Sequence, residues 1–210
     1  SMAEVIDENG KSRGYIQSRS YSAEETKVLL LFRNCTTPST FMCRTDKLKE
    51  IGFNNNRVGS EDWELAVKYS RISKIFNLDK ILIQYRKHRE SWLATNKDNK
   101  LHNEQEIIMF QLSELGISPT KHELFIHQNL NKSNCHKIDS YYFDNLCWLD
   151  KLYKSNEKRK IFRNPEFYNR ISGYWFNLIN NPAHYSIKLL QPYYFSPILQ
   201  ASNRSFMDHL

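Results

Sequence analysis

The sequence predicts an α+β fold that is mostly helical, with a small mixed β component followed by a helical subdomain. Three observations predict it. Residues 3–19 alternate apolar and polar around Glu8-Asn9-Gly10-Lys11, the pattern of a hairpin. Several segments carry apolar residues at helical spacing directly behind an N-cap signal. After about residue 98 the character changes, and the segments up to residue 180 are read as helices.

The elements follow in order. "SAEETKVLLLF" opens with Ser22 and has Glu25 three residues on, a capping box in front of an apolar run, so a helix is expected to end near Arg33. Pro38 breaks that pattern, and "STFMCR" (39–44) reads as a short buried strand. In "TDKLKEIGF", Thr45 is expected to cap a short helix that Gly52 stops. Ser60 is a good N-cap for the next helix, where Trp63, Ala66 and Val67 share one face and the helix runs to about Arg71. "KIFNLDKILIQYRKH" reads as a strand pair or one bent strand over 73–86, turning at Asn77-Leu78-Asp79. A polar linker, "SWLATNKDNKLHN", is expected to lead to helices over 103–115 and 120–130, with Gly116 past one end and Thr120 capping the next. Two further helices, 138–154 and 165–180, are expected to be split by the charged "KSNEKRK"; the Tyr-, Phe- and Pro-rich tail after Pro182 has no clear period. The domain organisation read from this is 3–98 and 99–210.

At 210 residues, with 40% hydrophobic and 25% charged residues, the chain is long enough for a sizeable core and balanced as globular domains are. Twelve Tyr and twelve Phe argue against disorder. No apolar run approaches the roughly 20 residues a bilayer-spanning helix needs, and there is no signal peptide. Four cysteines without C-x-x-C spacing indicate neither a zinc module nor a disulfide framework. A cytoplasmic setting is expected, with peripheral attachment at the inner face of the cytoplasmic membrane as an extension of it. The sequons at Asn34, Asn131 and Asn203 carry no weight without a secretion signal. Ser1-Met2 reads as a vector remnant, so a longer parent chain is expected. The net charge of +7 is uneven: residues 131–210 hold 11 Lys and Arg against 6 Asp and Glu, and the rest holds 19 against 17. A basic C-terminal part suits an anionic partner such as a membrane surface, or simply a solvated face. The basic residues are not interleaved as a nucleic-acid-binding motif, so no nucleic acid is expected.

Chemistry-bearing motifs of general type are absent: no G-x-G-x-x-G, no P-loop, no H-E-x-x-H and no D-x-D. His122 and His127 are five apart, do not share a helical face, and read as surface or half-buried residues. The pair Glu61-Asp62 in "GSEDWELA" has two readings. Acidic residues in a first turn are favoured by the helix macrodipole, which accounts for them as ordinary helix-start chemistry. The same geometry holds a carboxylate rigidly, keeps it ionised and aims it into a cleft, as a general base requires.

An ordered set of motifs adds to this. Phe41-Met42-Cys43-Arg44, Leu48 to Phe53, Glu61-Asp62-Trp63 and Tyr85-Arg86-Lys87-His88 stand in sequence. Together they resemble the second half of family 2 glycosyltransferases, the GT-A-fold bacterial enzymes that build capsules and other surface polysaccharides. The likeness extends over roughly residues 3 to 130, since "EQEIIMFQLSELGISPTKHELFIHQNL" resembles the helical tail that follows the catalytic domain in many of them. The resemblance implies that residues 3–98 are the acceptor-side half of a GT-A-like domain and 99–210 a helical C-terminal region. It implies that Asp62 is the general base that deprotonates an acceptor hydroxyl for inverting attack at the donor's anomeric carbon, and that Glu61 shapes the acceptor site. It places His88 near the donor diphosphate or its metal, as a tentative metal ligand, and Arg86 as positive charge against the leaving group. The implied partners are a nucleotide-sugar donor and a glycan or lipid-linked acceptor, with Mn²⁺ or Mg²⁺ as the cation of the full-length enzyme. The nucleotide-binding half with its D-x-D, the second Gly of "EIGF" and the Ser after the His are not in this chain. The 210 residues by themselves are therefore expected to be inactive and to hold no cation.

A reading from another class is a non-catalytic helical module that docks a membrane surface or partner protein through "KSNEKRKIFR" and "FYNRISGYWFNLI". For Trp175, Phe176, Leu178 and Ile179 the competing account is core packing between helices.

Overall fold

The structure is a computed structural model and describes residues 1–17, 19–54, 56–88, 97–130, 139–179 and 196–198. The chain forms two compact units, Ser1–Ile108 and Met109–Leu210. The fold is α+β and mostly helical, with one small mixed sheet.

In the first unit, β1 (Met2–Ile6) and β2 (Ser12–Gln17) are the arms of an antiparallel hairpin, and β3 (Ile81–Arg86) pairs with β1 in parallel, for the order β2-β1-β3. The hairpin turn has a clear cause. Asp7 Oδ1 accepts from the backbone N–H groups of Asn9 and Lys11, both at 2.9 Å, and Gly10 supplies φ +85°. Alternation along β1 buries Ala3 and Val5, while Glu4 points away and accepts from Gln84 on β3 at 3.1 Å.

Helix α1 (Ala23–Phe32) starts at the expected capping box: Glu25 N–H donates to Ser22 Oγ, and Ser22 N–H donates to Glu25 Oε2. Its run Val28 to Leu31 is fully buried. Helix α2 (Thr45–Ile51) follows, and α3 (Glu61–Ile72) packs against both α1 and α2. One buried bond ties α3 to α1: the Trp63 indole N–H donates to the Leu30 carbonyl at 2.9 Å.

Four local expectations change up to the start of the fourth helix. Residues 39–44 are no strand; Pro38 lacks an N–H and opens a 3₁₀ turn, Pro38–Thr40, after which the chain is extended and exposed, with Met42 at 99%. Position 44, not 45, is the N-cap of α2, and it makes no side-chain capping bond. Over 73–86 only Ile81–Arg86 is strand, while Asn77 makes a single bridge to Tyr21. Helix α4 (Lys97–Glu114) begins inside the expected linker; linker residues 91–96 lie outside the described residues.

The second unit is helical as described. Past α4, Gly116 at φ +73° closes the helix, with Ile117 N–H reaching the Leu112 carbonyl at 2.9 Å. Thr120 and Glu123 form a second capping box for α5 (Lys121–Asn129). Helix α6 (Asp139–Arg159) runs straight through "KSNEKRK" instead of stopping before it, and α7 (Glu166–Ile179) packs against it. The continuation has two causes: i,i+3 and i,i+4 ion pairs of Lys160 with Glu157 and Lys154 with Asp150 support the exposed face. Asn156 then holds the chain beyond the helix end by bonding both the N–H and the carbonyl of Phe162. Trp175 and Leu178 are buried in the core, and Phe176 is half-buried; the side chain of Ile179, like tail residues 182–195, lies outside the described set. His127 is buried, not half-exposed, and its Nδ1 accepts from the Trp148 indole N–H at 3.2 Å. His122 is exposed and pairs with Asp144 at 3.0 Å. Among the described residues no helix is long and apolar enough to cross a membrane.

Candidate functional site

Two carboxylates in the first turns of α3 sit in opposite environments. Glu64 accepts from Asn54 Nδ2 and Lys68 Nζ, both at 2.9 Å. Arg57 Nε is 3.0 Å from its Oε2 without hydrogen-bond alignment, so that pair is Coulombic. Arg57 also pairs with Glu106. Burial alone would push the Glu64 carboxyl up, but the bonds from Lys68 and Asn54 and the charges of Arg57 and Lys68 outweigh it and hold it below its ordinary value.

Among the described residues no cation bonds Asp62. Its Oδ1 accepts from the Trp63 backbone N–H at 2.8 Å and its Oδ2 from Asn34 Nδ2 at 2.9 Å. Burial raises its pKa above the ordinary value; the Trp63 N–H bond opposes this, the Glu61 charge adds to it, and the Asn34 bond opposes it again. The expected effect of the helix start is therefore present but outweighed by desolvation. Ser60 occupies the N-cap position and is buried, yet its Oγ makes no capping bond.

Asp62 lines a cavity of about 280 Å³ in the first unit, together with Asn34, Thr36, Tyr85, Lys100 and Glu104. These elements meet for local reasons. Asn34 follows the C-cap of α1, Tyr85 belongs to β3, and Lys100 and Glu104 are one turn apart on α4, 3.5 Å from each other. The wall is rich in hydroxyl, amide and carboxylate groups, with one lysine against two carboxylates among the residues named. Such a lining suits a neutral polyhydroxylated ligand better than an anion. A separate cavity of about 320 Å³, lined largely by apolar side chains such as Phe41, Met42, Leu65 and Phe76, has no carboxylate in its wall.

Glu61, Arg86 and His88 do not line the Asp62 cavity. Glu61 is half-buried with Oε2 unbonded among the described residues. The Arg86 guanidinium donates to the carbonyls of Asp7 at 3.0 Å and Glu8 at 2.7 Å, which fastens the hairpin turn to β3. His88 is exposed beyond the end of β3. Among the described residues no three His, Cys, Asp or Glu side chains form a metal-binding group. Asn34, Thr36, Lys100 and Glu104 were missed in the sequence. The one signal in the sequence is Asn34-Cys35-Thr36, whose sequon spacing is also that of an Asx turn.

Comparison of the chain with known proteins finds no match to a protein-family model, to a curated protein or to a solved structure.

Proposed function

We propose that the first unit is the acceptor-binding part of an inverting glycosyltransferase, acting within a longer chain in surface polysaccharide synthesis, and that Asp62 is its general base. The observation that supports this reading is the position of Asp62. It is a half-buried carboxylate with raised proton affinity, held at both oxygens, and it faces a cavity of polar groups. A carboxylate has about four acceptor sites, so two bonded donors leave room for a substrate hydroxyl. In the proposed step Asp62 takes the hydroxyl proton of a glycan or lipid-linked acceptor. The freed oxygen attacks the anomeric carbon of a nucleotide sugar, and the bond to the nucleoside diphosphate breaks, its electron pair leaving with the diphosphate. The raised proton affinity supports the role, since a base is most effective when its pKa approaches the working pH. Glu61, Arg86 and His88 keep only the roles the resemblance implies.

The helical-module alternative has to rely on side chains other than Trp175 and Leu178, because both are buried.

Acceptor binding is testable on the 210-residue chain with a panel of neutral mono- and disaccharides, followed through backbone amide shifts. Perturbations are expected at Asn34, Asp62, Tyr85, Lys100 and Glu104. Binding that perturbs only amides remote from these residues, or no binding by any saccharide of the panel, would reject the acceptor-site assignment.

A further inference from the structure

We infer that Asn34 is the positioning residue for Asp62: held in place by Thr36, its carboxamide aims the Asp62 carboxylate into the cavity and stabilises its ionised form. The inference rests on the reading of Asp62 as a base, and adds what sets that base.

The orientation of the carboxamide is forced by its neighbours. Thr36 N–H lies 3.0 Å from Asn34 Oδ1, and a backbone N–H can only donate, so the oxygen end faces Thr36. Thr36 Oγ1 donates to the same oxygen at 2.7 Å. The NH₂ end is thereby turned the other way, where it meets Asp62 Oδ2 at 2.9 Å. Thr36 is buried, so the turn that carries the carboxamide is anchored in the core and does not swing freely. Two opposed effects then act on Asp62. Burial favours its protonated form, and a donor aimed at the carboxylate favours the ionised form. Without the donor the base would hold its own proton more tightly; without the burial it would be a weak base. Asn34 is also the donor that can be changed without touching the α3 backbone, unlike the Trp63 N–H. The other titratable groups facing Asp62 are Glu61 beside it on α3, Tyr85 from β3, and Lys100 and Glu104 from α4.

The test is a carboxylate ¹³C NMR titration of Asp62 in the 210-residue chain, with Glu64 on the same helix as internal control. In Asn34→Ala the Asp62 midpoint is expected to rise by about one pH unit, the worth of one hydrogen bond to a charged group, while Glu64 does not move. Asn34→Asp covers the case in which the alanine variant does not fold. It keeps the shape and the Thr36 bonds but sets a second carboxylate against Asp62 Oδ2, so the two are expected to titrate as a coupled pair. An unmoved Asp62 midpoint in either folded variant would overturn the inference. The titration needs no substrate, which separates the two claims. Nucleotide-sugar transfer that depends on Asp62, alongside an unmoved Asp62 midpoint, removes the role of Asn34 alone. A midpoint that moves as expected supports the hold of Asn34 on the Asp62 carboxylate even where transfer proves independent of Asp62, the result that would remove the general-base role.

Discussion

The carboxamide nitrogen of Asn34 lies 2.9 Å from Oδ2 of Asp62 and joins the segment after α1 to the first turn of α3 across 28 residues of sequence. A second tie between the same helices, from the Trp63 indole to the Leu30 carbonyl, lies one residue further along α3. The placement of Asp62 thus depends on how α1 and α3 are packed, and stability measurements can probe it.

Trp63→Phe keeps most of the buried ring but removes the indole N–H that donates to the Leu30 carbonyl. A loss of about 1 kcal/mol is expected, the net worth of one hydrogen bond, read from urea unfolding. An unchanged midpoint would mean that the indole bond does not hold α3 to α1.

Glu64→Gln should destabilise with a definite pH signature. The folded-state pKa of Glu64 lies below its ordinary value of 4.5, so its contribution is fully present above that value and is lost as pH falls through the lower folded value. The stability gap between wild type and variant is expected to be widest near neutrality, at about 1–2 kcal/mol, and to close in acid. Asp62 has the opposite sign: raised above 3.8, it favours folding at low pH, and that contribution fades as pH rises through its folded value. A Glu64 gap that widens in acid would contradict the assignment.

Gly52 ends α2 at φ 72° and ψ 166°, a region that residues with a Cβ seldom enter. A Cβ there meets nothing within 4 Å, so the whole penalty of Gly52→Ala comes from the backbone. A loss of about 1–3 kcal/mol by thermal unfolding is expected. No loss would show that the turn into the segment before α3 has other solutions.

Thr120→Ala removes one half of the α5 capping box and is expected to destabilise by about 1 kcal/mol. The other half, Glu123, is also bonded to Lys151 Nζ at 2.6 Å. Circular dichroism melts of the single and Thr120→Ala/Glu123→Gln variants should therefore show a further loss in the double variant. Equal melts would place the cap outside the cooperative unit.

What was legible in the sequence was whatever acts over a few residues. The Asp7 to Lys11 turn and both capping boxes depend on side chains that bond their own backbone neighbours, and the Gly116 stop on a positive φ; the hairpin turn, the Ser22 box, the Thr120 cap and the Gly116 stop stand where the local pattern placed them. Apolar "STFMCR" misled because Pro38 sets a 3₁₀ turn, which a hydrophobic count does not register. "KSNEKRK" misled because charge resembles a break, while its Lys and Glu residues form supporting pairs along a helix. The order of the motifs around it singles out Asp62, whose place in a first turn is by itself ordinary helix-start chemistry. Its surroundings could not be read from the sequence, because Asn34, Lys100 and Glu104 reach the cavity from distant segments, and the burial that raises its proton affinity is a property of packing.

The central claim, that Asp62 takes the proton from an acceptor hydroxyl, is tested most directly by nucleotide-sugar transfer in the longest natural chain that contains these 210 residues. Wild type is compared with Asp62→Asn at matched melting temperatures. The account predicts transfer reduced by about 10²–10⁴-fold, the usual contribution of a positioned base, in a variant that remains folded. Transfer at the wild-type rate by folded Asp62→Asn would contradict it.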